Sequence, residues 1–260
     1  MRVNEVYVRK LMEAGFRADE RAFDEMRSAD IEVGVVSSAE GSARVKLGES
    51  EAIVGIKMSL GEPFSDSPNE GVLMVNAELS PVASEDFEPG PPSERAVELA
   101  RVVDRGIRES HCINLEKLCV KEKELVWMVN VDLQIINDAG NLIDLCGIGA
   151  ITALLACRIP KTEGDKVVFG ELTEQMLPVA DIPIPITVCK TGNVLIVDPT
   201  LKEEESIENR VTVTTNKDGN ICSLQKGGSG FFTTEELLKA ADISILKGRE
   251  IRKMVEKHAR

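Results

Sequence analysis

The chain has 260 residues, a formal net charge of −13, and 43% hydrophobic and 29% charged residues. That length accommodates one large domain or two modest ones, and the balance is that of a globular protein rather than a disordered one. Strong acidity speaks against a chain that coats nucleic acid or membrane unselectively, while leaving room for one local basic surface.

An amphipathic segment carried by Val3, Val6, Leu11 and Met12 opens the chain and stops at Gly15. Its acids Glu5 and Glu13 fit neither a signal nor a transit peptide. Residues 31–36, 42–47, 52–60 and 72–79 read as strands, punctuated by "SSAEGS" and "GEPFSDSPNEG". After the proline-rich "VASEDFEPGPP", Ser93 is placed to cap a helix that runs to about Ser110. Residues 124–136 read as a long strand and 143–158 as a helix rich in small residues. The next stretch, "PKTEGDKVVFGELTEQMLPVADIPIP", reads as linker and irregular crossover. Strands at 186–190, 194–197, 211–215 and 221–225 and a helix at 233–258 complete the chain.

This order predicts an α+β protein of two similar layers, with helices packed on one side of each sheet. Its halves are residues 1–160 and 183–260, joined through 161–182. The longest apolar run, 145–157, falls short of the roughly 20 residues of a membrane span. Six cysteines without a Cys-x-x-Cys pair predict buried free thiols in a cytoplasmic protein rather than a disulfide frame or zinc site. His111 and His258 alone do not supply a histidine metal site or a histidine-based triad.

Four stretches are candidates for chemistry. Glu94, Glu98, Arg101, Arg105 and Arg108 line one face of the helix after Ser93, with Val97, Ala100, Val103 and Ile107 on the opposite, buried side. A solvated charge row accounts for part of this, through Asp104 with Arg108 and Glu98 with Arg101. Arg101 and Arg105, like charges one turn apart, fit it less easily and make more sense as phosphate grips, although exposed charge rows are so common that the solvated face is the plainer reading of the row by itself. In "NDAGNLIDLCGIGAITALLA" (137–156), a turn at Gly140 feeds a helix, which presents N–H groups to an anion; close packing against a sheet is the plainer reading. "VDPTLKEEESIENRV" (197–211) gathers Asp198, Glu203, Glu204, Glu205 and Glu208, either as a metal or acid site or as a solvated loop. "QKGGSGFF" (225–232) is a glycine-rich turn, a phosphate cradle or plain punctuation.

Taken in order, these pieces resemble the RNase PH family, and within it the ring subunits of the archaeal exosome. The likeness spans about Gly15 to Ser244 and is strongest in "GSARVKLGESEAIVGIKM" (41–58), "GVLMVNAELSPVAS" (71–84) and "FEPGPPSERAVELARVVDRGIRES" (87–110). "RADER" (17–21) matches the family's Arg-x-Asp-Gly-Arg, with Glu20 where glycine is usual. The resemblance implies the duplicated strand–helix fold related to domain 2 of ribosomal protein S5.

"FEPGPP" and "LARVVDR" look like the non-catalytic kind of ring subunit, and two departures agree. Active members hold phosphate with an Asp-x-Gly-Ser-Arg turn; here it is Asp138, Ala139, Gly140, Asn141, Leu142. Leucine cannot bind an oxyanion. Counting from Asp198, the paired acidic positions fall at Glu204 and Arg210, so one charge is reversed. The resemblance thus implies no catalytic residue, no metal and no cofactor in this chain. It implies RNA contacts by Arg101 and Arg105, in a ring of three heterodimers with a catalytic RNase PH-like subunit, with RNA-binding cap proteins and single-stranded RNA as further partners. Two other readings stay open: a self-sufficient phosphorolytic exoribonuclease using Asp198 with Glu204, and an unrelated enzyme of small phosphorylated substrates working through Gly140 or the Gly227–Gly230 turn.

Overall fold

Apolar residues alternate with polar ones along the early strands, and that pattern builds a sheet with one covered face. The computed structural model describes residues 3–259, with side chains from Val6 onward, so the expected role of Val3 lies outside the described side chains. Strands β1 (Ala29–Val33), β2 (Gly41–Leu47), β3 (Ser50–Gly61), β4 (Val72–Leu79), β5 (Cys119–Lys121) and β6 (Leu125–Asn137) form the first sheet, in the order β1-β2-β3-β6-β4 with β5 beside β6. Only β4 runs parallel to its neighbour; the other pairs are antiparallel. Ala52, Val54, Ile56 and Met58 of β3 and Val129, Val131, Leu133 and Ile135 of β6 are buried on one face. Asn130, Asp132 and Gln134 point the other way and are half-buried.

Helices α2 (Glu94–Glu109) and α3 (Leu142–Leu155) cover that apolar face. Ser93 caps α2 by accepting a hydrogen bond from the Ala96 N–H at 3.3 Å. The buried stripe of α2 includes Leu99, Val103 and Ile107, each worth about 1.5–3 kcal/mol when removed from water. Val97, expected on this side, is 45% exposed: the stripe centres on Leu99 and Val103, which turns Val97 to the opposite rim. α3 is buried from Asp144 to Leu154, as befits a helix apolar all round. A Cβ added at Gly147 would lie 2.2 Å from Pro185, and one at Gly149 2.7 Å from Val54. Small residues here let one helix touch both sheets, which is the close packing expected of this stretch.

The second sheet is antiparallel, in the order β10 (Val194–Val197), β9 (Ile184–Thr191), β11 (Asn209–Thr215), β12 (Ile221–Gly228). All eight residues of β9 are buried because helices lie on both faces of this sheet. Pro185 and Thr214 face α3 and α2. Across the sheet, the Arg252 guanidinium of α5 (Thr234–His258) donates to the Thr215 carbonyl at 2.7 Å. The expectation of helices on a single side holds for the first sheet and fails for the second. One continuous core joins the two sheets and the helices between them.

Three local differences follow from the same packing. In α1 (Val3–Glu13), Val8 and Met12 pack with Cys189 and Ile196, whereas Val6 is exposed. Where a linker was expected, β7 (Arg158–Glu163) and β8 (Lys166–Met176) form a hairpin. The acidic segment after Asp198 includes a short helix, α4 (Leu201–Glu204). All six cysteines are free, and Cys112, Cys146, Cys157 and Cys189 are buried. No helix among the described residues is long and apolar enough to cross a membrane.

Candidate functional site

The charge row on α2 is sorted by its surroundings into paired and unpaired members. Asp104 takes Arg108, with Nη2 at 2.7 Å, and the same guanidinium donates to the Leu73 carbonyl at 3.1 Å. Glu98 does not pair with Arg101 as expected; it accepts from Arg210 Nη2 of β11 at 2.6 Å. Arg101 and Arg105 are exposed and make no hydrogen bond or ion pair among the described residues. They border a groove of about 410 Å³ that Glu94, Val97, Glu98 and, from β12, Gln225 also line. Two neighbouring arginines repel by roughly 0.2–0.5 kcal/mol on an exposed helix. No ion pair among the described residues offsets that cost.

The turn before α3 carries an internal anion. The Asn141 N–H, at the positive end of the helix, donates to Glu204 Oε1 at 2.6 Å. Arg95 reaches the same place, 2.9 Å from Asp138 Oδ2 and 3.6 Å from Glu204 Oε2, with its guanidinium over the Phe87 ring. Burial raises the Glu204 carboxyl above the usual glutamate range, and the Asn141 N–H and Arg95 only partly oppose it. Leu142 is 4% exposed and packs into the core. A cavity of about 180 Å³ lies between these groups, lined by Arg95, Glu98, Asn141, Leu142, Glu204 and Arg210. Glu98 borders both the cavity and the groove.

Behind the cavity lies a buried arginine–carboxylate frame. Asp198 has no exposed side-chain surface and accepts from Arg27 Nε, Nη2 and backbone N–H, from Arg21 Nη1 and from Asn141 Nδ2, all between 2.7 and 2.9 Å. Burial alone would raise this carboxyl; Arg27 and Asn141 hold it below its usual range. Glu203, equally buried, forms a bidentate pair with Arg17 at 2.9 and 2.7 Å. Glu208 binds Arg9 at 2.7 Å. Arginines from residues 9–27 thus hold Asp198, Glu203 and Glu208, and Glu204 sits on the Asn141 N–H beside Arg95, so these four carboxylates do not form an open cluster; Glu205 and Glu208 lie on the exposed side of the stretch. Gly227 belongs to strand β12, which runs past Gln225, and Gly230 follows it, so this stretch does not form a compact phosphate cradle.

Asp144 completes the frame. It is fully buried, accepts from the Thr187 N–H and hydroxyl and from Asn141 Nδ2, and burial pushes its carboxyl up to about 7. Sequence reasoning missed Arg27, Arg95 and Asp144. Arg95 left a signal: it is a cation in the first turn of a helix, where the dipole disfavours one.

Two domain models of the 3′ exoribonuclease family, RNase PH domains 1 and 2, match residues 25–160 and 181–245. The exosome complex component Rrp42 of Pyrococcus horikoshii is 48% identical over 254 residues, covering 96% of this chain and 92% of that one. A chain from the Archaeoglobus fulgidus exosome with RNA bound to the active site superposes with a TM-score of 0.91 at 43% identity, covering 97% of each chain. A chain of an archaeal exosome core gives 0.87 at 39% identity, covering 98% of this chain and 96% of that one. With both domain models matched in order, on a fold shared almost end to end, the chain belongs to the RNase PH family of 3′ exoribonucleases.

Proposed function

We propose that the chain is a non-catalytic subunit of an archaeal exosome ring, built of three heterodimers with a catalytic RNase PH-like paralogue. In the cytoplasm it binds single-stranded RNA through Arg101 and Arg105 and shapes its partner's site during 3′-to-5′ phosphorolysis, with RNA-binding cap proteins on the ring. The observation that carries this is the sorting of the α2 row: its acids Glu98 and Asp104 are paired, and two exposed arginines are left over. The relatives' own descriptions, an exosome component and an exosome with RNA bound, point the same way. Phosphate contacts carry no base information, so binding is indifferent to sequence.

Three features support the absence of catalysis. Leu142 supplies no guanidinium for an attacking phosphate. The Glu204 carboxylate occupies the N–H that would receive that phosphate. Arg210 brings a positive charge, spent on Glu98, to one of the acidic positions.

The raised carboxyl of Glu204 favours the alternative of a self-sufficient exoribonuclease, since general acids share that property. Its partner in that scheme, Asp198, is saturated by arginine and has no exposed surface. Incubation with an RNA oligonucleotide and inorganic phosphate, alone and with the paralogue, separates the readings. Nucleoside diphosphates are expected only from the mixture; their release by the repurified chain alone overturns the proposal.

A further inference from the structure

We propose that Arg210 is a positioning residue for RNA binding: it holds Glu98 away from Arg101 and cancels its charge at the mouth of the groove. This rests on the reading of Arg101 and Arg105 as phosphate contacts.

The α2 row contains three acids, Glu94, Glu98 and Asp104, against three arginines, Arg101, Arg105 and Arg108. Taken alone it is neutral and would give an RNA backbone little net attraction. Arg210, brought in from β11, makes it positive. Glu98 stands three residues before Arg101, the spacing at which an acid and an arginine on one helix normally pair. Arg210 Nη2 takes Glu98 instead, at 2.6 Å, and both side chains are about one-third exposed (34% and 35%); Glu98 lines the groove, and Arg210 reaches it from the neighbouring cavity. Asp104 is diverted in the same manner by Arg108. The two diversions together leave Arg101 and Arg105 free.

The Arg210 guanidinium has a built seat. Arg210 and Gly227 are register partners on β11 and β12, and a Cβ at Gly227 would lie 3.0 Å from Cζ and Nε and 3.2 Å from Nη2. A Cβ there would press on the guanidinium and make it give by a few tenths of an ångström. Gly227 therefore has a use as a flat surface under an arginine.

The test measures affinity of the ring, assembled with the catalytic paralogue, for fluorescent single-stranded RNA. Arg210→Ala is expected to weaken binding roughly threefold at low salt, the scale of one added charge repelling nearby phosphates through water. Adding Glu98→Gln to Arg210→Ala should restore the wild-type value, because the charge to be cancelled is gone. Arg210→Gln, which removes the charge but keeps most of the bulk, should weaken binding in the same direction and be rescued by the same Glu98→Gln; it carries the test if Arg210→Ala fails to assemble. Loss that persists in Glu98→Gln/Arg210→Ala overturns the proposal, since Arg210 would then be gripping phosphate itself. Wild-type affinity for Arg210→Ala, with weakened Arg101→Ala/Arg105→Ala, also overturns it and leaves the phosphate reading standing. Unchanged affinity for Arg101→Ala/Arg105→Ala sinks that reading first.

Discussion

Replacing Arg17 by methionine isolates what the buried frame contributes to stability. The Arg17 side chain has no exposed surface; it holds Glu203 with two hydrogen bonds and donates to the carbonyls of Val197 at 3.0 Å and Asp198 at 2.8 Å. Methionine fills much of the space but strands the Glu203 carboxylate, which keeps only the Thr200 N–H and hydroxyl at 2.8 and 3.1 Å. Removing one partner of a buried ion pair costs roughly 3–5 kcal/mol. Against a total of about 5–15 kcal/mol for an ordinary domain, that is a fifth or more of the stability. Urea unfolding followed through Trp127, the single tryptophan and 7% exposed, reports it directly. Arg17→Met/Glu203→Gln removes the stranded charge and should be less destabilised than the sum of the singles, by roughly 1–3 kcal/mol. A cost under about 1 kcal/mol for Arg17→Met, or strictly additive singles, refutes the reasoning.

Arg101→Ala/Arg105→Ala should change stability by no more than about 0.5 kcal/mol. In the assembled ring it should lower affinity for all RNA sequences alike and flatten the log–log salt slope by about 0.7 for each phosphate left without its arginine, which fluorescence titration at several salt concentrations measures. Asp144→Asn should alter the pH dependence of stability. With its folded value raised to about 7, Asp144 binds a proton more readily in the folded state, so its contribution is fully present below about 4 and is lost as pH rises to about 7. Melting temperatures of wild type and variant should diverge across that window, and parallel curves count against the assignment. Glu20, at a φ of 64° in the left-handed region, should gain roughly 0.5–1 kcal/mol on change to glycine, read from the urea midpoint.

The strands of the first sheet and helix α2 were legible because they rest on local periodicity and, for α2, a local cap; Arg101 and Arg105 were singled out through the family resemblance. Leucine at 142 and arginine at 210 were legible through the family's motifs. The hairpin at 158–176 was not: Pro160, Gly164 and a largely exposed β8 imitate a linker, and β8 has no apolar alternation to betray it. The partner of Glu98 lies 112 residues away, and those of Asp198 more than 170 along the chain for Arg21 and Arg27. Such pairs are decided by how the second sheet folds back, and helical spacing, which put Glu98 on Arg101, carries no word of it. The two-sided cover of the second sheet was hidden likewise, since β9 reads as a short apolar run whatever lies on its faces.

The position of Leu142 bears on how such a chain can change over time. Its side chain belongs to the main core yet borders the cavity beside Glu204. An arginine placed at 142 would have to leave the core through that cavity, because an unpaired buried charge is prohibitive. The first anion it met would be the Glu204 carboxylate, already seated on the Asn141 N–H. A single Leu142→Arg change would thus create an internal ion pair and a void in the core, with no opening for phosphate. Only joint replacement at 142, 204 and 210 would reopen the cavity to an outside anion, and the step at 142 weakens the fold before any benefit arrives.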